Sequence, residues 1–475
     1  MTATPQRLHQ EGLALIAKGA VEEALERIGR AVDLAPEVAV LRNSFGVALA
    51  ELGLEDAAAN AFRIALVLAP ANAAAWSNLA NATKRHRDHA RALALDPGSA
   101  AAHANLATFL HATGEESRAA RLWRCALALD PAEAAMWTHF GAARLREGEL
   151  ALAGRAFAHA VAADPGFADA WIGRGQLRLL EGDYAGGLAD YEARRRPGRM
   201  ARPRLAMPEW QGEDLRGKRI LLWAEQGLGD AIQFVRFAPM LSRRGARVIL
   251  AVPRQLVSFM TSLAGIERVQ ALEAPLPEAG LSAPLMSLPF LLGLGGRTKD
   301  PVAPYLSAPP SADLAADGRP RVGLLWAASQ ANEGGRWRSL SPARLRPLLA
   351  RTDLRFVSLQ FGERAGEVEA LGLADRIETP RLGDFQETAA LAASLDLVVT
   401  VDTAMAHLAG SIGQEAWVLL SYVPDWRWGI AGEKTSWYPS LRLFRQKRPG
   451  DWDGAIADLC AALDRRFPLR PAEPC

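Results

Sequence analysis

The sequence predicts an α-solenoid of stacked helical hairpins followed by an α/β region with two Rossmann-like lobes. Two patterns indicate this fold class: a short phrase recurs through the first 200 residues with a period of 34, and apolar runs alternate with helical segments from Arg219 onward. The length of 475 residues also exceeds what one hydrophobic core normally serves. We predict a repeat array at 1–192, a linker at 193–218, and lobes at 219–310 and 311–475.

The helical array is predicted by prolines that each close a similar phrase, such as V-D-L-A-P or A-L-D-P. Their successive spacings are 34, 27, 34 and 34 residues, at Pro36, Pro70, Pro97, Pro131 and Pro165. A period of 34 with a closing proline is typical of tetratricopeptide repeats (TPR), in which each unit is a pair of helices. Small residues recur where the paired helices must approach closely, at Gly12, Gly46, Ala107, Gly141 and Gly175.

Three tryptophans lie at one phase of the repeat, near the start of a first helix: Trp76, Trp137 and Trp171. A side chain repeated in register with a fold is far more often part of its packing than a ligand contact, so we interpret them as core residues. The third unit is seven residues shorter (34 minus 27), and the stretch from Lys84 to His89 falls where its second helix should begin. A shortened hairpin and a tolerated deletion both account for this.

Stacked hairpins form a groove suited to an extended peptide, because no single hairpin buries its apolar face alone. The array therefore predicts a protein partner rather than a reaction. After Tyr191 the repeat gives way to a basic, proline-containing stretch, E-A-R-R-R-P-G-R-M-A-R-P-R. We interpret this stretch as the linker and its charge as a solvated boundary.

Composition and charge disfavour several classes of protein. A net charge of +2 with 23% charged residues provides no broad cationic field for nucleic acid. Cys125, Cys460 and Cys475 are few and far apart, which disfavours a disulfide framework and a clustered zinc site and favours a reducing compartment. The first ten residues carry polar and charged side chains where a secretory signal would need an apolar core, and no run of about 18 apolar residues lacks charge, so we expect a cytoplasmic protein without a membrane span.

In the second half, runs such as R-I-L-L-W and R-V-I-L-A-V are predicted to be strands of parallel sheets. A proline-rich passage from Pro301 to Pro320 separates two such series, which indicates two lobes with a cleft between them. Ligands of such lobes gather beyond the carboxyl ends of the strands. No G-x-G-x-x-G fingerprint opens a strand-to-helix turn, which disfavours a nicotinamide or flavin enzyme.

The segment from Gly227 through Gly229 to Asp230 is predicted to be a tight loop between a strand and a helix. Glycines permit a sharp turn and close backbone approach, and a helix start offers free amide donors to an anion. For Asp230, the residues alone leave two alternatives about even, a helix N-cap and a general base.

Several long motifs resemble those of TPR-linked bacterial glycosyltransferases: A-E-Q-G-L-G-D-A-I-Q-F-V-R-F, P-L-M-S-L-P, S-L-D-L-V-V-T-V-D-T-A-M-A-H-L-A-G, P-D-W-R-W-G and W-Y-P-S-L-R-L-F-R-Q. The catalytic part is similar to heptosyltransferases and, more distantly, to O-linked N-acetylglucosamine transferases; flagellin glycosyltransferases share the arrangement. The resemblance covers nearly the whole chain. It implies a GT-B fold, two Rossmann-like lobes that take a nucleotide-sugar as substrate and need no metal or other cofactor.

The resemblance also implies roles for residues of the first lobe. Asp230 matches the acidic residue after the glycine loop of heptosyltransferases, to which deprotonation of the acceptor hydroxyl is ascribed. A positioned carboxylate suits this role, because a hydroxyl is a weak nucleophile until its proton is taken. Gly227 and Gly229 are assigned to the donor-binding side of the same loop.

In the second lobe, Asp402-Thr403-Ala404 and His407 match the D-T-x-x-x-H turn that holds the donor phosphates in the family. Thr403 and the first amides of the helix are suited to an oxyanion, while Asp402 is a candidate to cap the helix or to meet a sugar hydroxyl. For His407, a structural role inside the helix is the more common alternative to a ligand role.

Family relatives carry a basic residue that neutralises the leaving nucleotide after the first strand of this lobe. Arg336 and Arg338 are the candidates here, and Arg338 is favoured because it precedes Ser-Leu as in the relatives. A fork-shaped guanidinium suits phosphate oxygens. A solvated loop is the alternative. Trp426 and Trp428 can stack a sugar or base, or can anchor the packing of the lobe.

The sequence departs from its relatives in two places. The usual G-N-P-x-H segment is replaced at 328–332, and the Cys or His often found before P-L-M-S-L-P is replaced by Leu281-Ser282-Ala283. These departures bear on donor identity and activity.

The resulting hypothesis is metal-independent transfer of a sugar to a protein acceptor, flagellin or another surface protein, selected by the TPR array. It requires that Asp230 and Thr403 face one gap. Two rivals are a non-catalytic TPR adaptor with a degenerate transferase domain and an enzyme that acts on lipid-linked glycans.

Overall fold

The structure of the protein is a computed structural model that describes residues 4–197, 203, 205, 207–295, 303–310, 317–329 and 334–469. The chain divides into two compact units: Met1–Leu145 with Glu149–Ala170, and Arg146–Gly148 with Trp171–Cys475. The first unit is helical, and the second contains the end of the helical array together with the α/β region.

The described part of the first 197 residues contains twelve α-helices, which form a TPR-like array. They are α1 (Pro5–Ala17), α2 (Val21–Leu34), α3 (Ala39–Glu51), α4 (Glu55–Leu68), α5 (Ala73–Thr83), α6 (His86–Leu95), α7 (Ala100–Ala112), α8 (Glu116–Leu129), α9 (Ala134–Arg146), α10 (Leu150–Ala163), α11 (Ala168–Glu181) and α12 (Tyr184–Tyr191). The predicted helical repeat is confirmed.

The small residues of the repeat lie where paired helices touch, as predicted. A Cβ atom on Gly46 of α3 would lie 2.5 Å from the ring of Phe62 in α4. A Cβ atom on Gly141 of α9 would lie 2.9 Å from the ring of Phe157 in α10. Both distances are shorter than carbon atoms tolerate, so each glycine admits a large aromatic ring from its partner helix.

Two of the three repeated tryptophans join successive repeats. The indole N–H of Trp76 donates to the carbonyl of Pro70 at 2.9 Å, and that of Trp137 donates to Pro131 at 2.8 Å. Each ring therefore ties the start of a first helix to the proline that closes the preceding unit. The predicted core residues Trp76 and Trp137 are half-buried and pack against the buried clusters of the array, and the half-buried ring of Trp171 lies under the guanidinium of Arg174 at 4.5 Å.

The third unit keeps its hairpin but has a shorter second helix. Helix α5 ends at Lys84, which has a left-handed φ of 53°. Helix α6 has 10 residues, whereas the second helices α2, α4, α8 and α10 have 14. The residues missing from this unit are thus lost mainly from α6. His89 of α6 also packs against α7, with its ring centroid 5.2 Å from that of Phe109.

Residues 207–295 contain a parallel sheet with the strand order β3-β2-β1-β4. Its strands are β1 (Arg219–Trp223), β2 (Arg247–Val252), β3 (Arg268–Ala271) and β4 (Leu281–Pro284). The accompanying helices are α13 (Leu228–Phe234), α14 (Ala238–Arg243), α15 (Val257–Met260) and α16 (Leu288–Leu291). β1, β2 and β4 are largely buried, as expected for a parallel sheet covered on both faces, whereas the edge strand β3 is more exposed.

The described residues from 317 to 469 contain a second parallel sheet, in the order β10-β9-β8-β5-β6-β7. Its strands are β5 (Arg321–Leu325), β6 (Arg355–Ser358), β7 (Ile377–Glu378), β8 (Leu397–Val401), β9 (Ala416–Leu420) and β10 (Leu441–Arg445). Its helices are α17 (Gly335–Arg338), α18 (Arg346–Leu349), α19 (Glu367–Ala370), α20 (Phe385–Ala393), α21 (Ala404–Ile412) and α22 (Trp452–Arg466). Counted within this sheet, the order is 6-5-4-1-2-3, that of a doubly wound α/β sheet. The predicted parallel α/β region is confirmed.

The basic stretch after Tyr191 is not a wholly solvated boundary, and that prediction was wrong for Arg194. Residues Glu192–Arg195 form a 3-10 turn in which Arg194 is buried. Its guanidinium donates to Glu192 and Glu225 at 2.6 Å each. Burial opposes the charged form, but these two carboxylates outweigh it and raise the pKa of Arg194 above its usual value. The partner Glu225 is 31 residues away, so no local sequence pattern predicts this ion pair.

No helix among the described residues combines the length and the apolar character needed to cross a bilayer. Nor does any cluster of three His, Cys, Asp or Glu side chains in the described ranges have the geometry to hold a metal ion.

We predict that the stability of the helical array falls below neutral pH because of His89. Burial, together with the nearby His86, lowers the pKa of His89 from 6.5 to about 4, against a smaller opposing effect of Asp88. Between pH 6.5 and about pH 4, His89 is protonated in the unfolded chain but neutral in the folded chain. The free energy of unfolding should therefore fall by about 2 kcal/mol from pH 7 to 5, at about 1.4 kcal/mol per pKa unit.

Hydrogen exchange of α5 to α7, corrected for intrinsic rates at each pH, measures this change. The variant His89→Leu cannot be protonated and should show a flatter pH dependence. The control His103→Leu, on the half-buried histidine of α7, should keep the slope of the wild type. Equal slopes in wild type and His89→Leu would contradict the assignment.

Candidate functional site

The turn after β1 presents Asp230 from the first turn of α13, not from a loop. The predicted loop residue Gly227 is the N-cap, so Gly229 and Asp230 lie inside the helix. Asp230 is therefore not the N-cap that one alternative proposed; its Oδ2 accepts the backbone N–H of Gly227 at 2.9 Å. The preceding residue, Gln226, has a φ of +61°, a conformation that side chains other than glycine adopt only under constraint.

Asp230 forms an ion pair with Arg427, which lies in the turn after β9. The Nη2 atom of Arg427 donates to Oδ1 of Asp230. The same guanidinium donates to Gln233 of α13 at 2.5 Å and to Asp425 at 2.7 Å. The carboxylate of Asp230 is thus oriented through both oxygens while its side chain stays 20% exposed.

Arg427 is buried, and its charge is retained through its carboxylate partners. Burial disfavours the charged guanidinium, but Asp425 and Asp230 outweigh this effect and raise the pKa of Arg427 above its usual value. Its guanidinium also lies 4.5 Å from the ring centroid of Trp426. This side chain therefore joins the α13 helix of the first sheet to the turn after β9 of the second sheet.

The predicted phosphate turn lies at the carboxyl end of β8. Thr403, rather than Asp402, is the N-cap of α21, and its Oγ1 accepts the N–H of Met405 at 3.3 Å. Asp402 is buried, with its Oδ2 3.6 Å from Nη1 of Arg338. Burial raises the pKa of Asp402, and the nearby charge of Arg338 opposes this rise.

The structure separates the two candidate arginines of α17. Arg338 reaches the Asp402 carboxylate, with its side chain 27% exposed. Arg336 is exposed and its guanidinium packs over the ring of Trp337 at 4.6 Å. Of the two, Arg338 is the one that lies beside the start of α21. Of the departures at 328–332, only Ala328 and Ser329 lie within the described residues.

His407 is buried within α21 and is packed on several sides. Its Nδ1 lies 3.0 Å from the hydroxyl of Tyr438, and its ring stacks on Trp428 with centroids 5.3 Å apart. Burial, and the charges of Arg427 and Arg236 after it, lower the pKa of His407 well below the usual value. His407 is thus a neutral, hydrogen-bonded residue in this structure, which favours the structural alternative.

Trp426 and Trp428 are both buried against protein, at 4% and 3% exposure. Trp426 packs against Phe234 and Trp437, with centroids 6.3 and 6.1 Å away. Because both rings are already covered, the arrangement favours lobe packing over the stacking of a sugar or base.

Helices α13 and α21 meet at their first turns, and this contact brings the two motifs together. A Cβ atom on Gly229 would lie 2.8 Å from Cδ2 of His407 and 3.3 Å from Cα of Ala404. Gly229 is therefore a close-approach residue. Asp230 and Thr403, which sequence analysis required to face one gap, lie on these two touching turns.

Sequence analysis missed several residues of the site. Arg427 entered it only as a letter of the motif P-D-W-R-W-G, and no role was assigned to Asp425, Gln233 or Tyr191. The hydroxyl of Tyr191 lies 3.3 Å from the amide of Gln226, beside the turn that carries Asp230. An arginine between two tryptophans in P-D-W-R-W-G was the one available signal for Arg427.

Comparison with known proteins gives a partial likeness. No family model matches the sequence. Protein FlbA of Caulobacter vibrioides is 31% identical over 318 residues, which are 58% of this chain and 52% of FlbA. The chain thus spans about half the length of the curated relative it matches.

Solved structures of helical-repeat proteins also align with parts of the chain. A thermophilic TPR protein of Thermus thermophilus aligns with a TM-score of 0.35 at 20% identity, over 37% of this chain and 100% of its own. Pseudomonas aeruginosa PilF aligns with a TM-score of 0.35 at 17% identity, over 41% of this chain and 92% of its own.

We predict that Gly229→Ala destabilises the second unit. The added methyl would meet His407 and Ala404 and force α13 and α21 apart, which costs about 1–3 kcal/mol in a packed interior. Calorimetry should show a lower melting temperature for the α/β transition, by a few degrees. The control Gly366→Ala adds its methyl where no atom lies within 4 Å, at a φ of −69°, and should melt at or slightly above the wild type. If the two variants had the same melting temperature, the close contact between α13 and α21 would not contribute to stability.

Proposed function

We propose that the chain is a GT-B glycosyltransferase that transfers a sugar from a nucleotide-sugar to a protein acceptor. The observation that supports this best is the meeting of α13 and α21, which brings a partly exposed carboxylate, Asp230, and a helix start capped by Thr403 to one place. Transfer between a nucleophile and a phosphate-linked sugar requires these two groups side by side. The two parallel sheets, one of them doubly wound, are compatible with this proposal.

Asp230 is the proposed general base. Its carboxylate takes the proton of the acceptor hydroxyl as the hydroxyl oxygen bonds to the anomeric carbon of the sugar. The bond between that carbon and the phosphate oxygen breaks, and its electron pair leaves with the nucleotide. The hydrogen bonds from Gly227 and Arg427 fix the carboxylate, which is needed because proton transfer depends on hydrogen-bond distance.

The departing phosphate is proposed to lie at the start of α21. The amides of Met405 and Ala406 already bond to Thr403, so the attraction for an anion here comes chiefly from the helix dipole, which favours a negative charge at a helix start. Arg338 lies next to this turn, 3.6 Å from Asp402, and remains partly exposed. A phosphate oxygen can therefore compete for its guanidinium with the buried carboxylate.

The helical array is proposed to select the protein acceptor. Polar side chains link neighbouring first helices: His9 to Ser44 at 2.8 Å, Asn43 to Asn78 at 3.1 Å and Ser77 to Asn105 at 2.8 Å. Each link joins equivalent phases of successive repeats, so a row of polar groups follows the array. Such a row can supply hydrogen bonds to an extended peptide, whose backbone carries donors and acceptors at regular intervals.

A non-catalytic TPR adaptor is the second candidate function. It is favoured by the ion pair between Asp230 and Arg427, which occupies the proposed base with a buried cation. In an adaptor this pair would serve only to hold α13 against the turn after β9.

We predict that Asp230→Asn abolishes transfer while leaving nucleotide binding intact. An amide keeps the shape of the side chain but takes no proton, and loss of general-base catalysis typically lowers turnover by about 10²–10⁴-fold. Intact-mass analysis of candidate surface proteins from a deletion strain complemented with each variant measures the modification. The exposed Asp214→Asn serves as the matched control and should modify normally. Normal modification by Asp230→Asn would remove the base assignment, and absence of any modification in the wild type would favour the adaptor.

We predict that Arg338→Gln weakens binding of a nucleoside diphosphate about tenfold or more, because a charge-assisted hydrogen bond to phosphate is lost. Isothermal titration with UDP, GDP, CDP and ADP would identify the base and measure the dissociation constant. Arg336→Gln should change the constant much less, since this guanidinium packs on Trp337. The reverse order of effects would assign the phosphate contact to Arg336.

A further inference from the structure

The last hairpin of the helical array is built into the α/β unit. Helices α11 and α12 approach closely at two glycines: a Cβ on Gly175 would lie 2.9 Å from the backbone N of Tyr191, and one on Gly187 would lie 2.6 Å from Leu179. The buried Asp190 accepts hydrogen bonds from Arg174 at 2.7 and 2.8 Å. These contacts fix the position of α12 and of the residues that directly follow it.

That far end binds the carboxyl ends of two neighbouring strands. Nη2 of Arg194 donates to Glu225, two residues beyond β1, at 2.6 Å, and to the hydroxyl of Ser287, just beyond β4, at 2.7 Å. Ser287 also donates to Glu192 at 2.8 Å. β1 and β4 are adjacent in the sheet, so one guanidinium bridges both strand ends.

The turn that follows Glu225 is strained and needs such support. Gln226 has a φ of +61°, which costs about 1–2 kcal/mol for a residue with a Cβ atom. Such a conformation persists only when the surroundings fix it. Here Glu225 is held by Arg194, Gln226 by the hydroxyl of Tyr191 at 3.3 Å, and Gly227 by Asp230.

We propose that Arg194 is a positioning residue of the candidate site: through Glu225 it fixes the strained turn that presents Asp230. The side chain touches no reacting group and acts by geometry alone. Arg194 follows directly from α12, so the last repeat supplies a residue on which the turn of the α/β region depends.

The fit of the charges explains why arginine is needed. The side chain of Glu225 is fully buried, and it accepts a hydrogen bond from Arg194. Arg194 engages Glu225, Glu192 and Ser287 together, which requires the fork of a guanidinium rather than the single ammonium of lysine. Removing the cation would leave a buried carboxylate without its partner and free the turn to rearrange.

Hydrogen exchange tests the proposal on the full chain. In Arg194→Gln, amides of 225–232 should exchange at least about tenfold faster, since the strained turn opens more readily. Arg194→Lys should lie between this variant and the wild type. The matched control is Arg195→Gln, because Arg195 lies in the same 3-10 turn but pairs with Glu192 and Glu209 instead of Glu225. It should leave the exchange of 225–232 unchanged.

Turnover and nucleotide affinity supply a second readout, which rests on the proposed function. Arg194→Gln should lower turnover on the order of 10²-fold, because misplacing a reacting group by about 1 Å has this effect. The dissociation constant of the nucleoside diphosphate should change less than about twofold, since α21 is not altered. A merely structural defect would weaken both. If Arg194→Gln does not fold, Glu225→Gln replaces it, because the amide keeps the shape of the side chain and removes the ion pair.

The proposal is overturned if the exchange of 225–232 in Arg194→Gln and Glu225→Gln equals that of the wild type, or if Arg195→Gln accelerates it equally. Absence of transfer by the wild type would remove the proposed function alone. The exchange measurement would still decide the role of Arg194.

Discussion

The candidate site depends on one buried cation, the guanidinium of Arg427. Its Nε and Nη2 bind Gln233 and Asp230 on α13, across the junction of the two sheets, and its Nη1 binds Asp425 on its own turn. Taking a guanidinium out of water is unfavourable by several kcal/mol unless its partners come with it. Separating helix α13 from the turn after β9 would leave the buried guanidinium of Arg427 without its partners on α13, so the two elements stay together. The ion pair with Arg427 also fixes the orientation of the Asp230 side chain.

Close packing makes this junction narrow as well as charged. Gly229 lets the first turn of α13 touch α21, and the buried Arg236 lies among Tyr305, Trp437 and Tyr438 while donating to the carbonyls of Gln233 and Trp437. The cations and the burial together keep His407 neutral, so it can share a hydrogen bond with Tyr438 without adding charge. A site of this kind tolerates little change of volume, since interiors are packed to crystal density.

The sequence predicts those features that are encoded locally. A proline-closed period fixes the hairpins, and alternating apolar runs fix the parallel strands, because both patterns act within a few tens of residues. The partners of Asp230 and Arg194 are another matter: Arg427 is 197 residues from Asp230, and Glu225 is 31 residues from Arg194. Neither ion pair can be recognised from the spacing of its residues in the sequence. The assignment of Asp230 to a loop or an N-cap was a different, local error: Gly227 is the cap, and Asp230 is the N3 carboxylate that bonds back to it.

The sixth hairpin shows where periodicity stops being a guide to domain structure. Its glycines and its spacing are those of a repeat, yet the compact units divide between Ala170 and Trp171, which leaves α12 with the α/β region. A repeat period reports how two helices pair; it does not report what their outer faces bind. If the chain were divided at the end of the last repeat, the α/β region would lose either Arg194 or the helices that support it. The fully buried Glu225 would then lack its cationic partner. Because an unpaired buried carboxylate is strongly unfavourable, the array and the α/β region are not separable modules at that boundary.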